Sequence, residues 1–212
     1  MDILLIRHGE SLANTQGVYQ GQTYDTELSE AGVKQAQALA KNLAKININA
    51  VYASPLKRTR QTAEIITENL LMGPAIIDQR IIEVNHGQWE GKSKSEIIEE
   101  FPGQLEVWKT EPETITMPDG ENLSDVENRA FEFLKELATT EHSRVALVSH
   151  DSVIRVILTK LLRRELKDFW IYELDAAGYS TIEWNEKMPQ VVKINENSHL
   201  EGVASDLAMH AL

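Results

Sequence analysis

Three short apolar runs, each followed by polar or cationic residues, limit the fold of this 212-residue chain more than any other feature. They lie at residues 3–6, 51–53 and 145–148. Their apolar residues are continuous rather than alternating, which predicts strands buried on both faces, as in a parallel sheet. Helical patterns separate the runs, so the sequence predicts a three-layer α/β/α sandwich around a mostly parallel sheet.

Arginine or histidine side chains follow each run. Arg7 and His8 come directly after the first run, Arg58 lies shortly after the second, and His150 lies just beyond the third. Ligands of open α/β sheets bind beyond the carboxyl ends of the strands, so we expect these four side chains to meet at one edge. A single histidine at a strand end is usually a surface or capping residue. Two histidines and two arginines in equivalent places predict an oxyanion site instead.

Local signals place the other elements. Ser54 is the predicted N-cap and Pro55 the predicted first residue of a helix over 55–70. Residues 92–120 hold a short helical pattern at 95–101, then three prolines in a polar, irregular context, and we expect a small cap-like excursion there. We expect one domain over residues 1–212. Further helices are predicted at 29–46, at 122–139 and after His150, and further strands at 75–77, 181–184 and 191–194.

Six sequence blocks in register carry a family resemblance. They are residues 7–11 (RHGES) with Asn14, residues 28–32 (LSEAG), residues 54–59 (SPLKRT) with 61–63 (QTA), Glu83 with 87–91 (GQWEG), residues 120–121 (GE) and residues 148–150 (VSH). In this order they resemble the histidine phosphatase superfamily, the group that includes the cofactor-dependent phosphoglycerate mutases. The resemblance covers nearly the whole chain and implies the same sandwich fold, with one antiparallel strand.

The resemblance also implies roles for site residues. It makes His8 the nucleophile that forms a phosphohistidine, His150 the second histidine, and Glu83 the general acid. One histidine must be neutral to attack, whereas the other can be protonated and stabilise charge. Glu10 and Glu90 are rival carboxylates, expected to be structural and to help position the arginines. The expected substrate-binding residues are Arg7, Ser11, Asn14, Gln20, Gly21, Arg58, His150 and Asp151.

Asp151 departs from the family pattern, which usually has glycine after the second histidine. Aspartate is a preferred N-cap, so we expect its carboxylate to turn away from the phosphate and to accept from the N–H of Val153 or Ile154. The alternative is that Asp151 faces the pocket and selects substrates with a cationic group. His86 and Lys94 occupy places where the mutases contact substrate, and we expect both at the rim of the pocket.

Composition excludes several other classes. The chain has no cysteine, which rules out disulfides, thiolate nucleophiles and cysteine-based metal sites. The remaining histidines (His86, His142, His199 and His210) are scattered, so we expect no metal and no cofactor. The formal net charge of −12 disfavours nucleic acid and anionic membranes as partners. Neither a signal peptide nor a membrane span is predicted, and we expect a cytoplasmic protein.

The predicted activity is hydrolysis of a small phosphomonoester without a metal. Residues 101–118 contain no arginine, whereas the mutases usually carry a twin-arginine segment there. A second phosphate or carboxylate would therefore have few anchors, which favours a phosphatase. A cofactor-dependent phosphoglycerate mutase is the alternative, and a non-catalytic phosphate-binding regulatory protein is a further one. The family includes dimers, so the resemblance allows a homodimer.

Overall fold

A computed structural model describes residues 1–185 and 189–205 of the chain. Its centre is a six-stranded sheet, ordered β3-β2-β4-β1-β5-β6. The strands are β1 (Asp2–Arg7), β2 (Ala50–Ala53), β3 (Ile76–Ile77), β4 (Arg144–Ser149), β5 (Tyr179–Glu183) and β6 (Gln190–Glu196). Strand β5 pairs antiparallel with both of its neighbours, and the other pairs are parallel. The predicted mostly parallel sheet with one antiparallel strand is thus confirmed.

Helices cover both faces of this sheet. They are α1 (Leu12–Gln16), α2 (Glu30–Leu43), α3 (Lys57–Asn69), α4 (Lys94–Glu100), α5 (Gln104–Thr110), α6 (Leu123–Leu137) and α7 (Asp151–Leu161). Alternate residues of β1 point to opposite sides: Leu4 packs in a cluster with residues of α2 and α3, whereas Leu5 packs with residues of α6 and α7. The fold is therefore a three-layer α/β/α sandwich, as predicted.

Two local predictions are wrong. Helix α3 begins at Lys57, and its N-cap is Leu56, which makes no side-chain capping bond. Ser54 and Pro55 thus precede the helix. The Ser54 hydroxyl contacts the His150 ring instead of capping the helix. The segment after the short helix at Lys94–Glu100 is not irregular throughout, since it forms the second helix α5. His210, one of the scattered histidines that are expected to bind no metal, lies outside the described residues.

The loop that carries His8 is fixed by a close backbone contact. A Cβ atom on Gly9 would lie 2.6 Å from the carbonyl oxygen of Gly32, and one on Gly32 would lie 1.9 Å from that of Glu10. Real Cβ atoms do not approach so closely, so the loop after β1 packs directly against the first turn of α2. This contact determines where the chain leaves the sheet edge.

We expect Gly32→Ala to lower the free energy of unfolding by about 3 kcal/mol, because the new methyl group overlaps backbone that cannot rotate away. Urea unfolding measures the loss. Gly73→Ala is the matched control, since a Cβ there meets no atom within 4 Å. That variant should match or slightly exceed the wild type in stability. Equal stability of the Gly32→Ala protein would show that the loop moves freely.

Candidate active site

A narrow cavity lies at the carboxyl ends of β1, β2 and β4. The volume of this cavity is about 30 Å³. Residues from several separate segments form its wall, so the sheet edge brings together side chains that are distant in sequence. They are Arg7, His8, Asn14, Gln20, Arg58, Glu83, His86, Trp108, Asp151, Ser152 and Trp170.

His8 presents one defined ring nitrogen to this cavity. Its Nδ1 lies 2.7 Å from the carbonyl oxygen of Gly9. A carbonyl oxygen only accepts, so Nδ1 carries the proton. The Nε2 atom accepts from the Nε–H of Arg58 at 3.2 Å. The neutral ring therefore has its lone pair on Nε2, which is the form that a nucleophile requires.

Arg58 is fully buried and held on three sides. Besides His8, its guanidinium donates to the carbonyl oxygen of Gly21 at 3.1 Å and lies 3.4 Å from the Asp25 carboxylate. Burial lowers the pKa of Arg58 to about 10, a shift that the Glu83 and Asp25 charges oppose. The side chain therefore stays cationic at neutral pH.

Arg7 supplies the second guanidinium. Its Nη1 donates to the carbonyl oxygen of Leu174 at 2.5 Å and lies 3.5 Å from Oδ1 of Asp151. Burial lowers the pKa of Arg7, and the Asp151 charge opposes this shift. Two buried guanidiniums beside a neutral imidazole have the charge to neutralise a phosphoryl group in a transition state.

His150 contacts His8 but does not form part of the cavity wall. The two rings pack edge to face with centroids 5.2 Å apart. Burial, with the Arg58 charge as the next cause, lowers the pKa of His150 well below its ordinary value. Burial thus disfavours the protonated form that the sequence allowed.

Ser54 sets the tautomer of His150. Its Oγ lies 2.8 Å from His150 Nε2. Its other neighbour within residues 1–185 and 189–205 is the N–H of Leu56, which can only donate. The Ser54 hydroxyl therefore donates to Nε2, and His150 carries its proton on Nδ1. That N–H has no hydrogen-bond partner in the described part of the chain.

Glu83 lies on the same cavity wall as His8. Its Oε1 accepts from the Val84 N–H at 2.8 Å. Burial raises the pKa of Glu83 to about 7, against the opposing charge of Arg58. A carboxyl group with such a pKa is substantially protonated at neutral pH and can supply a proton to a leaving oxygen.

An ion pair between Arg129 and Glu121 supports the backbone around Glu83. Arg129 donates to the carbonyl oxygens of Ile82 and Glu83 at 2.6 and 3.0 Å and pairs with Glu121 at 3.0 Å. The Glu121 carboxylate also accepts from the Asn85 N–H at 2.9 Å. This arrangement accounts for the Gly-Glu motif at residues 120–121, whose part in the site was not apparent from sequence.

The expected substrate-binding residues divide into two groups. Asn14 and Gln20 line the cavity. Ser11 and Gly21 do not: the Ser11 hydroxyl caps α1 and contacts Gln20, and the Gly21 carbonyl accepts from Arg58. These two residues lie behind the wall and orient the groups on it, because their polar atoms are engaged by neighbouring protein groups.

The predicted cap by Asp151 is wrong. The N-cap of α7 is His150, and the Ile154 N–H bonds the His150 carbonyl oxygen. Oδ2 of Asp151 instead accepts from Nε of Arg155 at 2.5 Å, and Oδ1 lies near Arg7. Two guanidiniums hold the carboxylate, which explains why it faces the cavity rather than the helix backbone.

The rest of the wall is largely aromatic. His86 is buried, its Nδ1–H donates to the Gln20 carbonyl oxygen at 2.5 Å, and burial lowers its pKa to about 4. Its ring packs edge to face on Trp108 of α5, whose carbonyl accepts from the Trp170 indole at 2.7 Å. His86 is thus a wall residue rather than a rim residue, and Lys94 does not line the cavity. Neither tryptophan lies in a recognisable motif.

Glu10 and Glu90 act through loops rather than on the arginines directly. The Glu90 carboxylate accepts from the N–H groups of Gln22, Thr23 and Tyr24, which orders the loop whose Gly21 carbonyl holds Arg58. Glu10 contacts the Ser29 hydroxyl at 2.6 Å.

In the described residues, no group of three His, Cys, Asp or Glu side chains is arranged to hold a metal ion.

The family model for the histidine phosphatase superfamily (branch 1) matches residues 3–197. The chain belongs to this superfamily. Among solved structures, YhfR of Bacillus stearothermophilus superposes with a TM-score of 0.89 at 27% identity, covering 94% of this chain and 98% of that one. The histidine phosphatase fold expected from the sequence motifs is therefore confirmed.

Curated relatives in the superfamily carry different names. Phosphoserine phosphatase 1 of Hydrogenobacter thermophilus is 38% identical over 199 residues, 93% of each chain. A probable phosphoglycerate mutase GpmB of Erwinia tasmaniensis is 30% identical over 97% of this chain and 98% of that one.

Among the helices of the described residues, none is long and apolar enough to cross a membrane.

We expect Arg58→Lys to reduce kcat/KM for a phosphomonoester by about 10²-fold, or about 2.7 kcal/mol. Lysine keeps the charge but is a single-point donor, and it cannot contact His8, Gly21 and a phosphoryl oxygen in one plane. Steady-state kinetics measure the loss. Arg60→Lys, at an exposed position with a surface ion pair to Glu64, is the control and should be unchanged. A wild-type rate in Arg58→Lys would place Arg58 outside the phosphate site.

Proposed function

We propose that this chain hydrolyses phosphomonoesters of small metabolites in two steps, with a phosphohistidine at His8 between them. The observation that carries the proposal is the tautomer of His8, whose Nε2 lone pair enters a cavity lined by Arg7, Arg58 and the raised-pKa carboxyl group of Glu83. Binding alone would need neither a nucleophile nor a proton donor.

In the first step, Nε2 of His8 attacks phosphorus, and a P–N bond forms as the P–O ester bond breaks. The ester oxygen takes the electron pair and the proton of Glu83, and leaves as an alcohol. The guanidiniums of Arg7 and Arg58 neutralise the equatorial oxygens. The Nε–H of Arg58, which bonds the His8 lone pair, turns to a phosphoryl oxygen as that lone pair is used.

In the second step, Glu83 acts as a base. Its carboxylate takes a proton from water as the water oxygen attacks phosphorus and the P–N bond breaks. Inorganic phosphate leaves, His8 recovers its lone pair, and Glu83 is protonated again for the next turnover. One carboxyl group with a pKa near 7 serves both steps, since it is available in either form at neutral pH.

The cavity favours hydrolysis over the mutase alternative. A mutase must retain a bisphosphorylated intermediate, which requires a second set of anion ligands. Among the described residues that line the cavity, the cationic side chains are Arg7 and Arg58, and the aromatic side chains besides His8 are His86, Trp108 and Trp170. Because the Hydrogenobacter relative is named phosphoserine phosphatase 1, O-phosphoserine is the first natural substrate to test.

The test is release of inorganic phosphate by purified protein in EDTA. We expect hydrolysis of p-nitrophenyl phosphate, and a higher kcat/KM for one small alkyl phosphate, with phosphoserine tried first against 3-phosphoglycerate and sugar phosphates. Isomerisation of 3-phosphoglycerate that needs 2,3-bisphosphoglycerate would establish the mutase instead. A protein that binds phosphate but hydrolyses no ester would be the regulatory alternative.

A further inference from the structure

Asp151 places a carboxylate inside an anion site. It is only 3% exposed, and it lines the same cavity as His8, Arg7 and Arg58, the two arginines proposed to bind the phosphoryl group. Its Oδ1 lies 3.5 Å from Nη1 of Arg7. The carboxylate therefore competes with a bound phosphate for Arg7 and repels the phosphate dianion through a poorly screened interior.

Arg155 holds this carboxylate in place from outside the cavity. Its Nε donates to Oδ2 of Asp151 at 2.5 Å, and its Nη1 donates to the Tyr172 carbonyl oxygen at 2.5 Å. The guanidinium also lies 5.0 Å from the centre of the Trp170 ring. Arg155 is buried and does not line the cavity, so it offsets the Asp151 charge without contacting a ligand.

We propose that Asp151 weakens the binding of inorganic phosphate and so speeds its release, and that Arg155 is the positioning residue that limits this repulsion. This inference rests on the proposed function, in which inorganic phosphate is the second product. Arg7 and Arg58 alone would bind a small dianion tightly, and product release would then limit turnover. A fixed carboxylate beside Arg7 reduces that affinity while leaving both guanidiniums in the site.

The same placement assists the general acid. The charge of Asp151 contributes to the raised pKa of Glu83, behind burial as the main cause. A carboxylate that repels the product thus also helps to keep a proton on Glu83 before the first step. Both effects disappear if the Asp151 side chain becomes neutral.

The test is the dissociation constant of inorganic phosphate, measured by isothermal titration calorimetry at pH 7. We expect Asp151→Asn to lower this constant about tenfold, equivalent to about 1.4 kcal/mol. Arg155→Gln should raise it, because the Asp151 charge is then less compensated. The double variant Asp151→Asn/Arg155→Gln should bind at least as tightly as the wild type. Arg164→Gln, which removes a surface ion pair to Asp168, is the control and should bind like the wild type.

These variants separate a charge effect from a structural one. Removing one member of a buried ion pair destabilises the fold, so thermal melting is measured for each variant, and the double variant leaves no unpaired member of that pair. If Arg155 were only structural, the double variant would bind phosphate as weakly as Arg155→Gln. An unchanged or raised dissociation constant in Asp151→Asn would overturn the inference.

The outcome does not depend on turnover. Calorimetry measures phosphate binding even if no ester is hydrolysed, so failure of the proposed function appears in the EDTA assay and not here. A loss of kcat/KM for phosphoserine alone in Asp151→Asn, with the same phosphate affinity as the wild type, would show that Asp151 binds a substrate ammonium group. That result would also overturn the inference.

Discussion

His8→Ala is expected to reduce turnover of every phosphomonoester by at least about 10⁴-fold, because it removes the ring nitrogen proposed to form the covalent intermediate. The neighbouring His150 cannot substitute for it: its Nε2 accepts from Ser54, and its Nδ1 carries the proton. Steady-state rates with p-nitrophenyl phosphate measure the loss. A leaving group this good tests the nucleophile alone, since it needs no proton from Glu83.

Chemical trapping complements the rate. A wild-type reaction quenched in alkali should retain one phosphoryl group that acid then removes, as expected of a phosphohistidine, and His8→Ala should retain none. His142→Ala is the matched control, because that histidine packs against Tyr52 away from the cavity. An active His8→Ala protein, or a phosphoryl group that survives acid, would refute the mechanism.

Much of the site was predictable because strand ends impose its geometry. Continuous apolar runs identified β1 and β4, and parallel neighbours in register place Arg7 opposite Ser149, beside His8 and His150. No side-chain detail was needed for that step. The family motifs then assigned roles to these residues, and the burial of Glu83 is consistent with the role given to it.

The remaining features depend on contacts that leave no local pattern. Ser54 looked like a helix cap, but its hydroxyl bonds His150, which lies 96 residues away. Asp151 also looked like a cap, yet two buried guanidiniums attract its carboxylate more strongly than backbone N–H groups do. Trp108 and Trp170 lie in short helical segments without periodic signals. Their place on the cavity wall follows only from tertiary packing.

Glu83→Gln is expected to affect substrates according to their leaving groups. An alkyl phosphate needs its departing oxygen protonated, so its kcat/KM should fall by about 10³-fold. A p-nitrophenolate leaves readily without a proton, and that rate should fall by less than about tenfold. The quantity to measure is the ratio of the two kcat/KM values in the variant and in the wild type. Glu10→Gln, a rival carboxylate bonded to Ser29, should leave the ratio unchanged.

The same ratio gives a pH test. Burial raises the pKa of Glu83 to about 7, so the wild-type enzyme loses the proton that the alkyl substrate needs as pH rises through 7. The rate with alkyl phosphate should therefore fall relative to p-nitrophenyl phosphate above pH 7, and the ratio should level off below about pH 6. The amide of Glu83→Gln does not titrate, so its ratio should be low and independent of pH. An equal loss for both substrates, or a pH-dependent ratio in Glu83→Gln, would assign the acid to another residue.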